Sequence, residues 1–303
     1  MRRVCRRGLA VGIVLAGGLL LGVAPQASAT HTETSCGVKL NDKVKCWGDD
    51  TLGQATDAPS QKGFRSVSAG GEHVCALKRS GKVKCWGDDG NSQITDAPAA
   101  KAFRAVSAGA LHVCALKRSG KVRCWGNDGN GQVSDAPSGK FRSVSAGDDF
   151  NCGVKPNDKV VCWGDNDSDQ VADAPSVKAF RAVSAGDNHA CALKRNDKIV
   201  CWGQDDYEQV SGAPAVKAFR AISAGVSHSC ALKRNGKAKC WGDDEAGVGG
   251  TPAAKFRSIS AGGEHSCGVK RNRRVKCWGE DGNGQVSDAP AGKFRMVDGG
   301  GYN

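Results

Sequence analysis

The residues with chemistry to offer are fourteen cysteines set in pairs: Cys36 with Cys46, Cys75 with Cys85, Cys114 with Cys124, Cys152 with Cys162, Cys191 with Cys201, Cys230 with Cys240, and Cys267 with Cys277. The two members of each pair are ten positions apart, and Trp-Gly follows the second. Thiols at that spacing suit either disulfides or a metal site. A thiolate metal site needs four convergent ligands, and Cys-x9-Cys supplies two with no second pair nearby, so disulfides are expected. Five histidines (His73, His112, His189, His228 and His265) each stand two residues before the first cysteine of a pair. A residue repeated at one place in many units orients a loop, whereas a catalytic base is expected once; a hydrogen bond to backbone is the expected role. The sequence contains no Gly-x-Ser-x-Gly, His-Glu-x-x-His or phosphate loop, and no carboxylate pair can be placed for glycoside cleavage. Neither catalysis nor a cofactor is expected. Asp165-Asn166-Asp167-Ser168-Asp169 alternates carboxylates as a calcium loop does, which makes Asp165, Asp167 and Asp169 the candidate ligands. It lacks the glycine and distal glutamate of an EF-hand, and Asp and Asn are also what turns use.

The elements that must position these residues repeat. Cys-Trp-Gly recurs at steps of 39, 39, 38, 39, 39 and 37 residues, and every tryptophan belongs to one of the seven triplets. Seven Phe-Arg pairs, beginning at Phe64, Phe103, Phe141, Phe180, Phe219, Phe256 and Phe294, mark the intervening segments. Within one unit, Phe64-Arg-Ser-Val-Ser-Ala alternates and reads as a strand. His73 to Lys78 is a second strand, Arg79-Ser80-Gly81 a turn, Lys82 to Gly87 a third strand, and Gln93-Ile94-Thr95 a short fourth before Asp96-Ala97-Pro98. The turn sets Cys75 opposite Cys85 and Leu77 opposite Val83. Directly opposed residues on antiparallel strands lie roughly 4.5–5.5 Å apart at Cα, within disulfide reach. Seven hairpin disulfides follow, each contributing about 2–3 kcal/mol in the chain-entropy account.

Four-stranded units of about 40 residues repeated seven times read as an all-β, seven-bladed β-propeller. The first unit lacks its Phe-Arg strand, and the chain ends on one, Phe294-Arg295-Met296-Val297. The C-terminal strand is therefore expected to complete the first blade and close the ring. Residues 1–29 read as a secretory signal peptide: Arg2, Arg3, Arg6 and Arg7 precede an uncharged apolar run from Leu9 to Val23, and Ala27-Ser28-Ala29 suits cleavage after Ala29. Residues 30–303 form the propeller, with no transmembrane segment once the signal is removed. Removing that segment takes away Cys5, so 14 of the 15 cysteines remain. Export and even parity both favour disulfides and a secreted, extracellular protein. A multispanning membrane protein is excluded because no other apolar run exists, and collagen because the glycines keep no three-residue period.

The expected strand path also sorts charge. Ala-Gly-x-x-His loops and the loops after Trp-Gly share one end of the ring; hairpin turns and the linkers before Phe-Arg share the other. Of the 31 acidic residues, 23 fall in the first set, where no lysine or arginine occurs. On the loop end, the blades stop resembling one another at Leu111, Asp148, Asp149, Phe150, Asp187, Asn188, Tyr207, Glu208, Glu245 and Tyr302. These are the candidate contacts for an extracellular protein, with Phe150, Tyr207 and Tyr302 as aromatic anchors. The other end is basic and could dock an anionic cell-surface polymer or glycan, although no aromatics interleave its cations for base stacking.

The stretch Ala69 to Gly87, with His-x-Cys-Ala-Leu and Cys-Trp-Gly, resembles the regulator of chromosome condensation repeat, most of all its bacterial cysteine-containing form. The resemblance extends over essentially Thr30 to Asn303. It implies a non-catalytic propeller that binds a partner. The nuclear GTPase partner of the namesake is out of reach of an exported chain. The spacing is also similar to that of the secreted β-lactamase-inhibitor propeller, which implies inhibition of an extracellular enzyme through loops on one face. The inhibitor's loops are rich in aromatics, whereas the corresponding positions here are mostly small or acidic.

Overall fold

In the computed structural model, residues 33–301 are described, except 246; the expected signal peptide and Tyr302 lie outside the described residues. The described chain forms seven three-stranded antiparallel sheets. Blade 2 is typical: an inner strand Phe64–Ala69, a middle strand His73–Lys78 and an outer strand Val83–Gly87. Blades 3 to 7 repeat this order along the chain. Blade 1 takes its middle and outer strands, Thr34–Lys39 and Val44–Gly48, from the N-terminal side and its inner strand, Phe294–Gly299, from the C-terminal side. Successive inner strands touch in a closed cycle, and the C-terminal strand contacts both its neighbours, Phe64–Ala69 and Phe256–Ala261. The expected all-β, seven-bladed ring with its C-terminal closure is what the chain forms.

The registers agree with the spacing argument. Cys75 pairs with Cys85 and Leu77 with Val83, and the other six middle–outer hairpins place their cysteines directly opposite in the same way. Each blade carries its own disulfide, in chain order Cys36–Cys46, Cys75–Cys85, Cys114–Cys124, Cys152–Cys162, Cys191–Cys201, Cys230–Cys240 and Cys267–Cys277, at Cα separations of 4.0–4.1 Å. The second cysteines differ in cover. Cys46, Cys240 and Cys277 are 1% exposed and Cys124 is 5% exposed, whereas Cys162 and Cys201 are only partly buried at the back of blades 4 and 5. All the first cysteines are fully buried, so every bridge ties a core position to the outer strand.

The fourth strand does not form. Ile94 N and Thr95 N donate to the Asp89 carboxylate instead of to a ladder, and Asp50, Asp128, Asn166, Asp205 and Asp281 bind the equivalent amides in other blades. A side-chain acceptor five residues back offers the backbone an alternative to a ladder, so the segment becomes a capped turn.

Three sets of bonds join each blade to the next. Every tryptophan Nε1 donates to a backbone carbonyl of the preceding blade's loop at 2.9–3.2 Å: the acceptors are the carbonyls of Gln54, Gln93, Gln132, Gln170, Gln209, Val248 and Gln285. Because the acceptor is main chain, Val248 serves as well as glutamine. Nearer the axis, Ser68, Ser107, Ser145, Ser184, Ser223 and Ser260 each accept from the inner-strand amide of the following blade. At the closure Asp298 takes the serine's place, accepting from Ala69 N at 2.9 Å and from Ser260 Oγ. Third, the Ala-Gly loops bond head to tail, for example Asp148 N to Gly186 O and Gly301 N to Gly70 O. A methyl group at Gly70, Gly109, Gly147, Gly186 or Gly225 would collide with the next loop's carbonyl, which is why this position is glycine around the ring. Among the described residues, no helix is long and apolar enough to cross a membrane.

Candidate functional site

Each middle strand starts at a residue whose side chain is buried between blades: histidine in five of them, Thr34 in blade 1 and Phe150 in blade 4. Four of the five ring Nε2 atoms bond to side chains of the next blade. Nε2 of His112, His189, His228 and His265 meets Asn151, Ser229, Ser266 and Ser35 of the next blade at 2.7–2.9 Å. For His73 the corresponding position is Val113, and Nε2 lacks a hydrogen-bond partner. Burial disfavours the charged imidazole, so His73 and His228 are held down to about 4 and His189 to about 3. At the ring closure His265 Nδ1 lies 2.7 Å from the buried carboxylate of Glu33. Burial pushes that carboxyl up, but the bonds from His265, Glu264 N and Gln285 outweigh it and hold Glu33 below the usual range.

Blade 4 shows that phenylalanine fits the histidine slot, so His73→Phe is expected to fold and to resist acid better. The unfolded imidazole takes a proton near 6.5 while folded His73 refuses it until about 4. Its contribution to stability is therefore complete above pH 6.5 and is lost as the pH falls toward 4. Urea unfolding at pH 7.5 and 5.0 is expected to show the wild type losing about 2 kcal/mol more than His73→Phe over that interval. Equal losses would show that His73 carries no such penalty.

Phe150 therefore does not act as a surface anchor: its ring is 0% exposed and packs against Gly147. In the next blade the position that gives Asn151, Ser229 or Ser266 to a histidine is Ala190, which packs on Phe150 and offers no polar partner. Asp148, Asp149, Asp187 and Asn188 do lie together at the loop end of the ring. They are knit to one another and to neighbouring loops: Asp149 accepts from Gln132 Nε2 and Asn130 Nδ2, and Asn188 donates to Asp187. Burial, the charges of Asp187 and Asp149, and a hydrogen bond with Asp187 hold the Asp148 carboxyl well above the carboxylate range. The Asp148 carboxyl is therefore harder to ionise than an exposed aspartate. Asp165, Asp167 and Asp169 do not converge: the Asp165 carboxylate accepts from Gln170 Nε2, Asp169 sits at φ 58° in the turn, and no three metal-ligating side chains gather among the described residues. Leu111 is half-buried, and Glu208 and Glu245 are exposed.

Tyr207 is 49% exposed. Its loop is held against blade 6 by the bond from Trp241 Nε1 to Gln209 O, beside the strand that runs out at Gly242. Next to that strand end, between blades 6 and 7, lies a cavity of about 220 Å³ lined by Ser227, His228, Asp243, Glu245, Val248, Gly263, Glu264 and Glu280. Four carboxylates border this cavity, and no lysine or arginine does. Sequence reasoning singled out Glu245 but missed the other three. Asp243 shares the loop of Glu245, while Glu264 and Glu280 come from two separate loops of the next blade.

At the opposite end the hairpin turns carry three acids among the cations. Asp42 bridges Arg79 and Arg295, Asp158 bridges Arg142 and Arg195, and Asp197 bridges Arg181 and Arg234. The two guanidinium groups beside Asp42 hold its carboxyl down to about 2, Arg79 having the larger effect.

The geometry of these units is that of a known repeat. A sequence model of the Regulator of chromosome condensation (RCC1) repeat matches residues 64–93, 103–132, 141–170, 180–209, 219–248 and 256–285, more than half of the chain. The chain belongs to the RCC1 repeat family. Each matched RCC1 repeat runs from the inner-strand Phe to the residue whose carbonyl receives the next blade's tryptophan; blade 1, split between the two ends of the chain, is the one not matched. The RCC1-repeat propeller is similar to the entire ectodomain of the Physcomitrella patens receptor kinase CR4, with 28% identity and a TM-score of 0.71 over 82% of this chain and 71% of that one. It is also similar to the CRINKLY WD40 ectodomain of the Arabidopsis thaliana receptor kinase ACR4, with 27% identity and a TM-score of 0.70 over 84% and 93%. Yeast RCC1 (Prp20), solved with Kap60, has 17% identity and a TM-score of 0.68 over 98% and 90%, a likeness of fold. No curated protein matches the chain significantly in sequence.

Proposed function

We propose that the protein is an extracellular binding module that grips a basic segment of a partner protein at the loop end of the ring, centred on the cavity between blades 6 and 7. Seven disulfides are what an oxidising compartment permits, and the two similar receptor-kinase structures are ectodomains. The observation that carries the reading is the set of four carboxylates, Asp243, Glu245, Glu264 and Glu280, around one concavity. A lysine or arginine head entering it would meet several acceptors at once, and charge-assisted hydrogen bonds are the stronger kind. The exposed ring of Tyr207 on the adjoining loop supplies apolar area of the kind that anchors interfaces. Residues elsewhere on the same end, the Asp148–Asp187 pair among them, are occupied by the ring's own bonding and serve as scaffold.

The test is capture of proteins from the native culture medium on the immobilised propeller. Partners bound by the wild type are expected to be lost at least tenfold in the double variant Glu245→Lys with Glu280→Lys, reduced with Tyr207→Ala, and kept with Lys82→Glu on the opposite end. Capture that survives the double charge reversal would overturn the site.

A further inference from the structure

Three blades share a device at the hairpin end that two others lack while keeping its arginines. In blades 1, 4 and 5 the third residue of the turn is an aspartate, Asp42, Asp158 or Asp197, at φ 64–69°. Its carboxylate lies between the inner-strand arginine of its own blade and, from the following blade, the turn arginine (Arg295 and Arg79, Arg142 and Arg195, Arg181 and Arg234). In blade 6 that residue is Gly236, with φ 89°. Both arginines of the device are still present, Arg220 on the inner strand and Arg271 on the next turn, and the neighbouring inner strand adds Arg257. Among the described residues none of the three forms an ion pair. Arg220 donates only to the carbonyls of Phe256 and Arg257, and Arg271 reaches only Asn235 O, at 3.4 Å. Together with Arg234 and Gly236 they line a cavity of about 330 Å³ whose lining contains no carboxylate.

From this we infer that the cavity at Gly236 is a binding site for a sulfate or phosphate group, which takes the position the aspartate carboxylate holds in blades 1, 4 and 5. Arg220 and Arg271 present guanidinium donors from two sides, the geometry in which arginine recognises an oxyanion by paired hydrogen bonds. Burial and the unneutralised charges of Arg271 and Arg257 push Arg220 below the ordinary arginine value, so an anion entering here also relieves repulsion that the fold leaves in place. The site is on the end of the ring opposite the carboxylate cavity and does not depend on the reading given above.

The internal comparison supplies the test. Gly236→Asp installs the carboxylate that three sister turns already tolerate, so it should fill the site without removing an arginine. Because Gly81 leaves Arg65 and Arg118 without an aspartate in the same way, the measurement is made in a Gly81→Asp background. Calorimetric titration with sodium sulfate, and separately with a sulfated oligosaccharide, is expected to show binding to Gly81→Asp that falls at least tenfold on adding Gly236→Asp. A comparable fall is expected with Arg271→Ala, whose side chain is exposed. Thermal unfolding confirms that each variant is folded. Binding of both probes means the site takes the free anion; binding of the oligosaccharide alone means it takes the group as carried on a polymer. No binding to the background protein, or binding that Gly236→Asp and Arg271→Ala leave unchanged in folded protein, overturns the inference.

Discussion

Reduction of the seven disulfides is expected to leave the chain unfolded at room temperature. Each bridge closes a hairpin with a sequence separation of 10, which in the chain-entropy account is about 2–3 kcal/mol. Seven such bridges in separate blades sum to roughly 15–20 kcal/mol, against the ~5–15 kcal/mol by which whole domains are stable. The apolar clusters are small and set between adjacent blades: that between blades 2 and 3, for example, gathers Cys75, Leu77, Val83, Cys85, Phe103, Val113, Ala115 and Trp125. The cysteines are themselves core residues, so reduction removes covalent closure from the same places that carry the packing. The experiment is to unfold the protein in urea with and without reductant, then remove the urea while keeping the redox state. The oxidised chain should recover the near-ultraviolet signal of its buried tryptophans, and the reduced chain should not. Loss of one pair, Cys75→Ala together with Cys85→Ala, should cost about 2–3 kcal/mol. A reduced chain with the same urea midpoint would show that packing alone holds the ring.

Deleting residues 294–303 should be nearly as damaging. The C-terminal strand is the inner strand of blade 1, paired from Ser35–Gly299 to Lys39–Phe294. Phe294 is 0% and Val297 3% exposed, and removing two such side chains costs about 5–8 kcal/mol if each behaves as a buried truncation. The deletion also takes away Asp298, whose carboxylate accepts from Ala69 N and Ser260 Oγ and so holds blade 1 to blades 2 and 7. Burial pushes that carboxyl up to about 6; the bonds it makes offset part of what burying it costs. Hydrogen exchange should find the amides of Thr34–Lys39 and Val44–Gly48 unprotected in the truncated chain, and its thermal midpoint should fall by ten degrees or more. Unchanged protection in those strands would mean that the ring does not depend on its C-terminal closure.

Those strands and their pairing are legible in the sequence because the repeat states them seven times. Period-two alternation in Phe-Arg-Ser-Val-Ser-Ala, a three-residue turn and Cys-x9-Cys together leave one antiparallel register, and the missing Phe-Arg segment of the first unit matches the surplus one at the end. The fourth strand is not legible in the same way: Gln-Ile-Thr has strand-like composition, while the Asp five residues before Ile94 captures its amide. Nothing in local alternation reports that competition. Phe150 misleads for a related reason: among polar loop residues a lone aromatic suggests an anchor, yet its place is the buried histidine slot.

The charge pattern is half legible. Sorting acids and bases by loop type assigns most acids to one end of the strands and most bases to the other. It does not show that most of the loop aspartates cap turns, that Asp187 and Asp149 hold the Asp148 carboxyl above its usual range, or that Asp42, Asp158 and Asp197, three of the acids that break the pattern, neutralise particular arginine pairs. The caps are made five or six residues away within one loop, whereas the Asp148–Asp187 contact and the bridges to Arg79, Arg195 and Arg234 join residues roughly one repeat apart across a blade boundary.

By itself, then, the sequence determined the number of blades, the hairpin registers, the disulfide pairing and the closure, because all follow from period, parity and strand geometry within one unit. The tertiary structure alone decided which polar groups of neighbouring blades come together. Carboxylates gathered around the cavity between blades 6 and 7, and arginines left without an acid at Gly236, exist only where neighbouring blades meet. Whether a charge is neutralised depends on the following blade's residues as well as on a blade's own, so no unit encodes it alone.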